Sequence, residues 1–349
     1  MIFAGIRSNP SLRLFFVFIF AVGLVSFWIG CGKDEPTTPN PPTPPSPVCE
    51  KTDSTRVDNK TPTSMVADWG QPVRLGAPVN TLCPQDAIEI SRDGAYLYVM
   101  YTEDILERMT PAQILARHNN TYRLKRIGGP DEFGEPEFYD LGKGTSESFN
   151  GELSFSSDGG EVYFHSLRTA NLGYQQNPPT DDFLDIYVAD IIDGWPGPGR
   201  NLGPTVNSVY PDGELAIHPD GVSLYFGSLR PGGTGATDIW MSTFDGSDWT
   251  GPVNLGSPIN SFADDYQPTF TPDGDTMYYA SGRNPIIGMA IYRSVRTGSV
   301  WGSPELVIRG LAGEPSLTAD RQFLYFVHVL SDTGGNYDAD VWYCRRNMK

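Results

Sequence analysis

An Asp-Gly dipeptide set between two short alternating apolar runs recurs along this chain, and that recurrence restricts the fold more than any other feature. The lines are AIEISRDGAYLYVM (87–100), ELSFSSDGGEVYFH (152–165), ELAIHPDGVSLYFG (214–227), QPTFTPDGDTMYYA (267–280) and EPSLTADRQFLYFV (314–327). Each predicts a β-hairpin. Asp-Gly supplies the positive-φ residues that tight hairpin turns need, and alternation gives each strand a face to bury. In the fifth line Arg321 stands in place of the Gly. A third run follows each hairpin: TYRLKRI (121–127), DIYVADI (185–191), DIWMSTF (238–244), AIYRSVR (290–296) and DVWYCRR (340–346). A fourth element opens on Trp: WGQPVRLG (69–76), WPGPGRNLG (195–203), WTGPVNLG (249–256) and WGSPELVI (301–308), with a weaker EPEFYDLG (135–142). Four strands repeated in five units predict an all-β, five-bladed β-propeller with four antiparallel strands per blade.

The order of the elements predicts how the ring closes. The repeat region opens on a fourth-strand element at Trp69 and ends on a third strand, with no fourth strand after it. Strand 69–76 is therefore expected to join the last blade, which removes an open sheet edge.

The N-terminal segment has a different character. Arg7 and Arg13 precede the apolar run LFFVFIFAVGLVSFWIG, which ends at Cys31. A basic start, a greasy middle and a small residue before the cut make residues 1–30 a secretory signal. Ile29-Gly30-Cys31 resembles the lipobox of bacterial lipoproteins, which implies lipidation at Cys31. Lys33-Asp34-Glu35 resembles a signal that sends some lipoproteins to the cell surface, and a solvated charge cluster is the alternative. EPTTPNPPTPPSPV then predicts an extended stalk over 31–66, with the propeller occupying 67–346. Cys49, Cys83 and Cys344 remain. Cys83 could pair with Cys344 or with Cys49, and an odd number leaves one free thiol.

Taken together, SPDG..LYF.S.R.GG.G..DIW.S and W..P.NLG..IN resemble the WD-like repeats of TolB-like propellers. HPDGVSLYFGSLRPGGTGATDIWMS (218–242) and WTGPVNLGSPINSFADDYQPTFTPDGDTMYYASGR (249–283) match closely, and the first two copies match loosely. The resemblance spans about 69–346. It implies a periplasmic protein–protein role, although its best-known members have six blades.

Most of the repeated text reads as packing, including Trp69, Trp195, Trp249 and Trp301 between blades. Two polar positions also recur. Acids or an amide begin the innermost strands at Glu152, Glu214, Gln267 and Glu314, with Ala87 in the first copy. Arg168, Arg230 and Arg283 close the second strands on the same rim. A ring of like charges needs counter-charges, so Arg–Glu pairs are expected there. A long insertion at 102–120, in which TPAQILARH predicts a short helix, falls between strands two and three. So does a second at 167–183. These place Tyr174, Gln175, Gln176, Asp181 and Asp182 on the face that carries the arginines and acids, as candidate contacts.

Catalytic patterns are weak. His118, His165, His218 and His328 have no metal-ligand spacing, no G-x-S-x-G elbow occurs, and SSDGGEVYF only approaches a sialidase box. No cofactor, metal site or catalytic residue is assigned. The formal charge of −17 disfavours nucleic acid. The expectation is an outer-membrane lipoprotein, periplasmic or surface-exposed, anchored through its lipid and binding an envelope protein or glycan. The alternative is a propeller glycoside hydrolase using channel carboxylates.

Overall fold

The structure is a computed structural model describing residues 58, 60–81, 83–102, 120–143, 149–175, 183–331 and 337–347. The signal segment, Cys31, Cys49, the insertion helix, Gln176, Asp181 and Asp182 lie outside the described residues.

Five antiparallel sheets form, and each takes its inner hairpin from one of the five repeated lines. The inner strands are Gln85–Ile90, Phe149–Phe155, Asp212–Ile217, Asp265–Phe270 and Ala312–Leu317. Each touches the next in that order, and the fifth touches the first. The ring is thus a five-bladed propeller. The two strands of each hairpin pair through Asp-Gly turns with Gly94, Gly159, Gly221 and Gly274 at positive φ, and Arg321 adopts φ 57° in the fifth.

Side chains on the strand faces fill the space between blades, each large one worth about 1.5–3 kcal/mol on burial. The Trp residues do this as the sequence predicts. Trp195 of the second blade stacks on Tyr139 of the first at 5.8 Å. Trp249 of the third meets Tyr163 of the second edge-on at 6.1 Å. Trp69 meets Tyr278 of the fourth at 6.4 Å and donates its Nε1–H to that phenol at 3.2 Å.

The N-terminal route is more elaborate than one closing strand. Val73–Arg74 pairs with Tyr337–Arg345 of the fifth blade, with Val73 opposite Tyr343 and Arg74 opposite Trp342. Trp69 bridges Arg346. Before that, Thr63–Ser64 adds a strand to the outer edge of the fourth blade, against Arg309 and Ile308. The sheets therefore begin a few residues N-terminal of the boundary expected at 66/67. Further out, Asp58 Oδ2 lies 3.3 Å from His328 Nε2.

These registers fix a direction. We call the end at which the inner strands begin the upper face. His328 pairs with Ala312 at that end, so the chain arrives on the upper face and descends beside the fourth blade. It turns near Trp69 and climbs as the edge of the fifth. The connections between second and third strands also lie on the upper face.

The cysteines divide differently from one of the two expected pairings. Cys344 is free and fully buried, whereas Cys83 is disulfide-bonded. This excludes a Cys83–Cys344 bridge. The partner of Cys83 lies outside the described residues, which leaves Cys31 and Cys49.

Candidate functional site

Each inner strand carries a bulge at the same place. The register with the second strand shifts between Asp86 and Glu89, Gly151 and Ser154, Gly213 and Leu215, Tyr266 and Thr269, and Gly313 and Ser316. The first residue inside each shift is Ala87, Glu152, Glu214, Gln267 or Glu314, with φ of 51°, 45°, 51°, 55° and 52°. Left-handed backbone costs a non-glycine residue about 1–2 kcal/mol. The ring therefore holds a strained residue at every blade, and the bulge takes each side chain out of the strand's alternation.

Those side chains meet where neighbouring inner strands approach. Gln267 Oε1 accepts the backbone N–H of Glu314 at 3.0 Å, and Glu314 Oε2 accepts that of Ile88 at 3.3 Å. In each case a side chain of one blade holds the backbone of the next. The second blade uses His165 instead, whose Nδ1 accepts the N–H of Glu214 at 3.3 Å. One layer below, Ser154 and Ser316 Oγ accept from Ile217 and Ile90.

The acids here are held towards their neutral form. Burial, reinforced by the charge of Glu214, pushes the Glu152 carboxyl well above the usual carboxylate range. Burial and Asp86 do the same to Glu314, and burial raises Glu214. Glu89, whose Oε2 accepts from Ser316 Oγ at 2.6 Å, is pushed up to about 7 by burial. Burial lowers His165 to about 3.

The arginines do not neutralise this ring, contrary to expectation. Arg230 Nη2 lies 2.5 Å from Asp212 Oδ1, and Arg283 Nη2 lies 2.8 Å from Asp265 Oδ1. Arg168 Nη2 donates to Asn150 Oδ1 at 3.2 Å. In all three, the guanidinium Nε also donates to a serine two residues earlier: Ser166, Ser228 or Ser281. The reason is reach. The preferred acceptor lies two residues before the bulge, at the upper rim, and a fork fits its side-chain oxygen and the serine together. Asn150, Asp212 and Asp265 were the partners missed. Their signal was present as an acid or amide two positions before Glu152, Glu214 and Gln267.

Other repeated letters are architecture too. The Asp that opens a third strand ties down the fourth-strand Asn: Asp185 with Asn201 at 2.7 Å and Asp238 with Asn254 at 2.9 Å. In the fifth blade the equivalent bond is a forked Arg74–Asp340 pair at 2.8 Å. The Asn of I-N or V-N bonds both backbone groups of a third-strand residue: Asn207 with Ile186 and Asn260 with Ile239. Asn80 grips Val341 in the same way.

Of the loop candidates, Tyr174 packs edge-on against Phe183 at 4.9 Å, and Gln175 donates to Thr169 O at 2.6 Å. An open cavity of about 860 Å³ lies elsewhere, beneath the turn at Ala67–Asp68 and beside Arg293 and Arg346. Its central charges are already matched, since Arg293 bonds both Asp68 and Glu305. Among the described residues, no group of three His, Cys, Asp or Glu side chains could hold a metal ion.

No family model and no curated protein matches this chain. Solved structures do. A structure titled "Glycoside hydrolase" is 10% identical, with a TM-score of 0.53 over 80% of this chain and 92% of that one. The chain has the β-propeller fold. A protein assigned as TolB from Agrobacterium tumefaciens is 19% identical, covering 77% of this propeller and 92% of its own chain, at a TM-score of 0.41. An α-L-arabinofuranosidase from Lactobacillus brevis is 13% identical, covering 78% and 94%, at 0.47. Identities this low speak to the fold of this propeller and not to its chemistry.

Proposed function

We propose that this propeller is a lipid-anchored protein of the bacterial envelope that binds a partner, protein or glycan, on its upper face. The observation that carries the reading is the convergence of three features on that face. These are the arriving N-terminal chain at Asp58, the rim of Arg168, Arg230 and Arg283, and the loop that begins at Thr169. A rigid ring beneath variable connections is the usual arrangement for recognition. The Pro-rich composition of 31–66 supports a spacer between the domain and an anchor at Cys31.

The test compares partners captured by the full chain with those captured after deletion of 167–183, alongside a glycan array. Loss of the partner or glycan on deletion supports the reading, and unchanged capture contradicts it. Mass spectrometry of the mature N-terminus tests the anchor, with diacylglycerol on Cys31 as the expected result.

A second reading has one observation in its favour. Glu152 is buried, raised towards its protonated form, and has no partner at Oε2. A neutral carboxyl is what a glycosidase general acid requires. Turnover of nitrophenyl glycosides that disappears in Glu152→Gln would support a hydrolase.

A further inference from the structure

Four apolar side chains stand in solvent on the upper face of the third and fourth blades. Phe262 is 69% exposed and Ile286 is 94% exposed, and Tyr210 and Leu229 are each more than one-third exposed. They sit on four connections that abut in order. The Leu229 N–H reaches the carbonyl of Pro211, beside Tyr210, at 3.4 Å. A Cβ added at Gly235 would sit 2.8 Å from the carbonyl oxygen of Ser261, which precedes Phe262. The Gly282 N–H bonds the Asp264 carbonyl at 2.9 Å, and the connection that Gly282 opens carries Ile286. The four residues therefore belong to one continuous surface.

That surface offers no free charge, in a chain of net charge −17. Connections 203–211, 229–237, 256–264 and 282–289 hold three charged residues: Arg230, Asp264 and Arg283. Arg230 is bound to Asp212 and Arg283 to Asp265, and buried Asp264 accepts the Thr237 N–H at 3.0 Å. The amides are spent as well. Asn207 and Asn260 hold third-strand backbone, and Asn284 accepts the Ile286 N–H at 3.0 Å. An apolar surface with its charges turned inward matches the core of a protein interface. Charge then selects the occupant. A glycan needs side-chain partners for its hydroxyls, and the amides and guanidinium groups that would serve are committed. An anionic bilayer is drawn in by exposed Lys or Arg, and these connections present none. A second copy would bring another −17 against this one.

We propose that Tyr210, Leu229, Phe262 and Ile286 form the seat for an apolar, uncharged segment of a different protein, with Phe262 and Ile286 as its anchors. Such a segment meets no desolvated charge here and covers the most exposed apolar side chains. The proposal rests on the reading of the upper face as the partner-binding face. It names the partner as protein, and it places the seat on the third and fourth blades and not on loop 167–183.

The test uses peptides selected on the full chain from a random twelve-residue display library. The selected peptides should be apolar and uncharged, and they should slow hydrogen exchange at 256–264 and 282–289. Phe262→Ser combined with Ile286→Ser should weaken them at least about tenfold. Both side chains lie in solvent, so the melting temperature should not move. Val300→Ser, at a lower-end residue 67% exposed, should leave binding unchanged. Peptides that survive the double variant but are lost on deletion of 167–183 would overturn this seat and leave the upper-face reading standing. Peptides that protect only the lower Asp-Gly turns would overturn both. Selection of charged peptides, or of none, would overturn the seat. So would glycan binding, phosphatidylglycerol-vesicle binding or self-association that the double variant abolishes, because each assigns the surface to another occupant.

Discussion

Arg230 holds Asp212, a fully buried carboxylate, through Nη2 at 2.5 Å, and the same guanidinium bonds Ser228 Oγ and the Val206 carbonyl. Inner strand, second strand and preceding loop are thus locked by one side chain. Arg230→Met should cost about 3–5 kcal/mol, because it strands a buried charge. Adding Asp212→Asn should return much of that loss. Urea denaturation of the single and double variants measures both.

Asn80 ties the N-terminal edge to the fifth blade through both backbone groups of Val341. Asn80→Ala should cost about 1–3 kcal/mol. Hydrogen exchange should quicken at 73–76 and 341–343, while the equivalent grip of Asn207 on Ile186 stays protected.

Gly213 faces His165 so closely that an added Cβ would sit 2.8 Å from Nδ1 and 3.2 Å from the histidine Cβ. The ring is pinned by Phe149 and cannot move away cheaply. Gly213→Ala should destabilise by about 1–3 kcal/mol, read as a lower denaturation midpoint.

Stability should fall as pH rises from mildly acidic to neutral. Glu89 and Asp185 are raised to about 7 and about 6, both first by burial. The folded chain holds these protons longer than the unfolded one. Their contribution is complete below the unfolded carboxylate range and is lost as pH passes through 6 and 7. His165, lowered by burial to about 3, acts oppositely: its contribution is present above about 6.5 and lost as pH falls below that value. Melting curves should show Glu89→Gln flattening the decline between pH 5 and 8.

Cys344 is buried, and burial pushes its thiol up to about 12. A thiol reagent should leave it unmodified in the native chain. After denaturation without reductant, Cys344 should react while Cys83 should not.

Much of the fold was legible because each blade repeats a complete set of local signals. Asp-Gly marked the hairpins, and the Trp elements marked the fourth strands. The ring position was legible too, since acids recurred at Glu152, Glu214 and Glu314. Its geometry was not, because a left-handed bulge at a Glu contradicts every local preference of that residue. The ion pairs were misassigned for a related reason. Topology placed arginines and acids on one rim, but choosing Asp212 over Glu214 takes the reach of the guanidinium. Thr63–Ser64 falls within the stretch whose composition predicts a stalk, because a two-residue strand carries no periodicity.

The claim most exposed to test is that binding takes place on the upper face. Hydrogen–deuterium exchange of the full chain, alone and with its captured envelope partner, addresses it directly. The account predicts slower exchange in the upper connections 203–211, 229–237 and 256–264, with the Asp-Gly turns at 218–222 and 271–275 unchanged. Protection at those lower turns, with the upper connections unaffected, would contradict it.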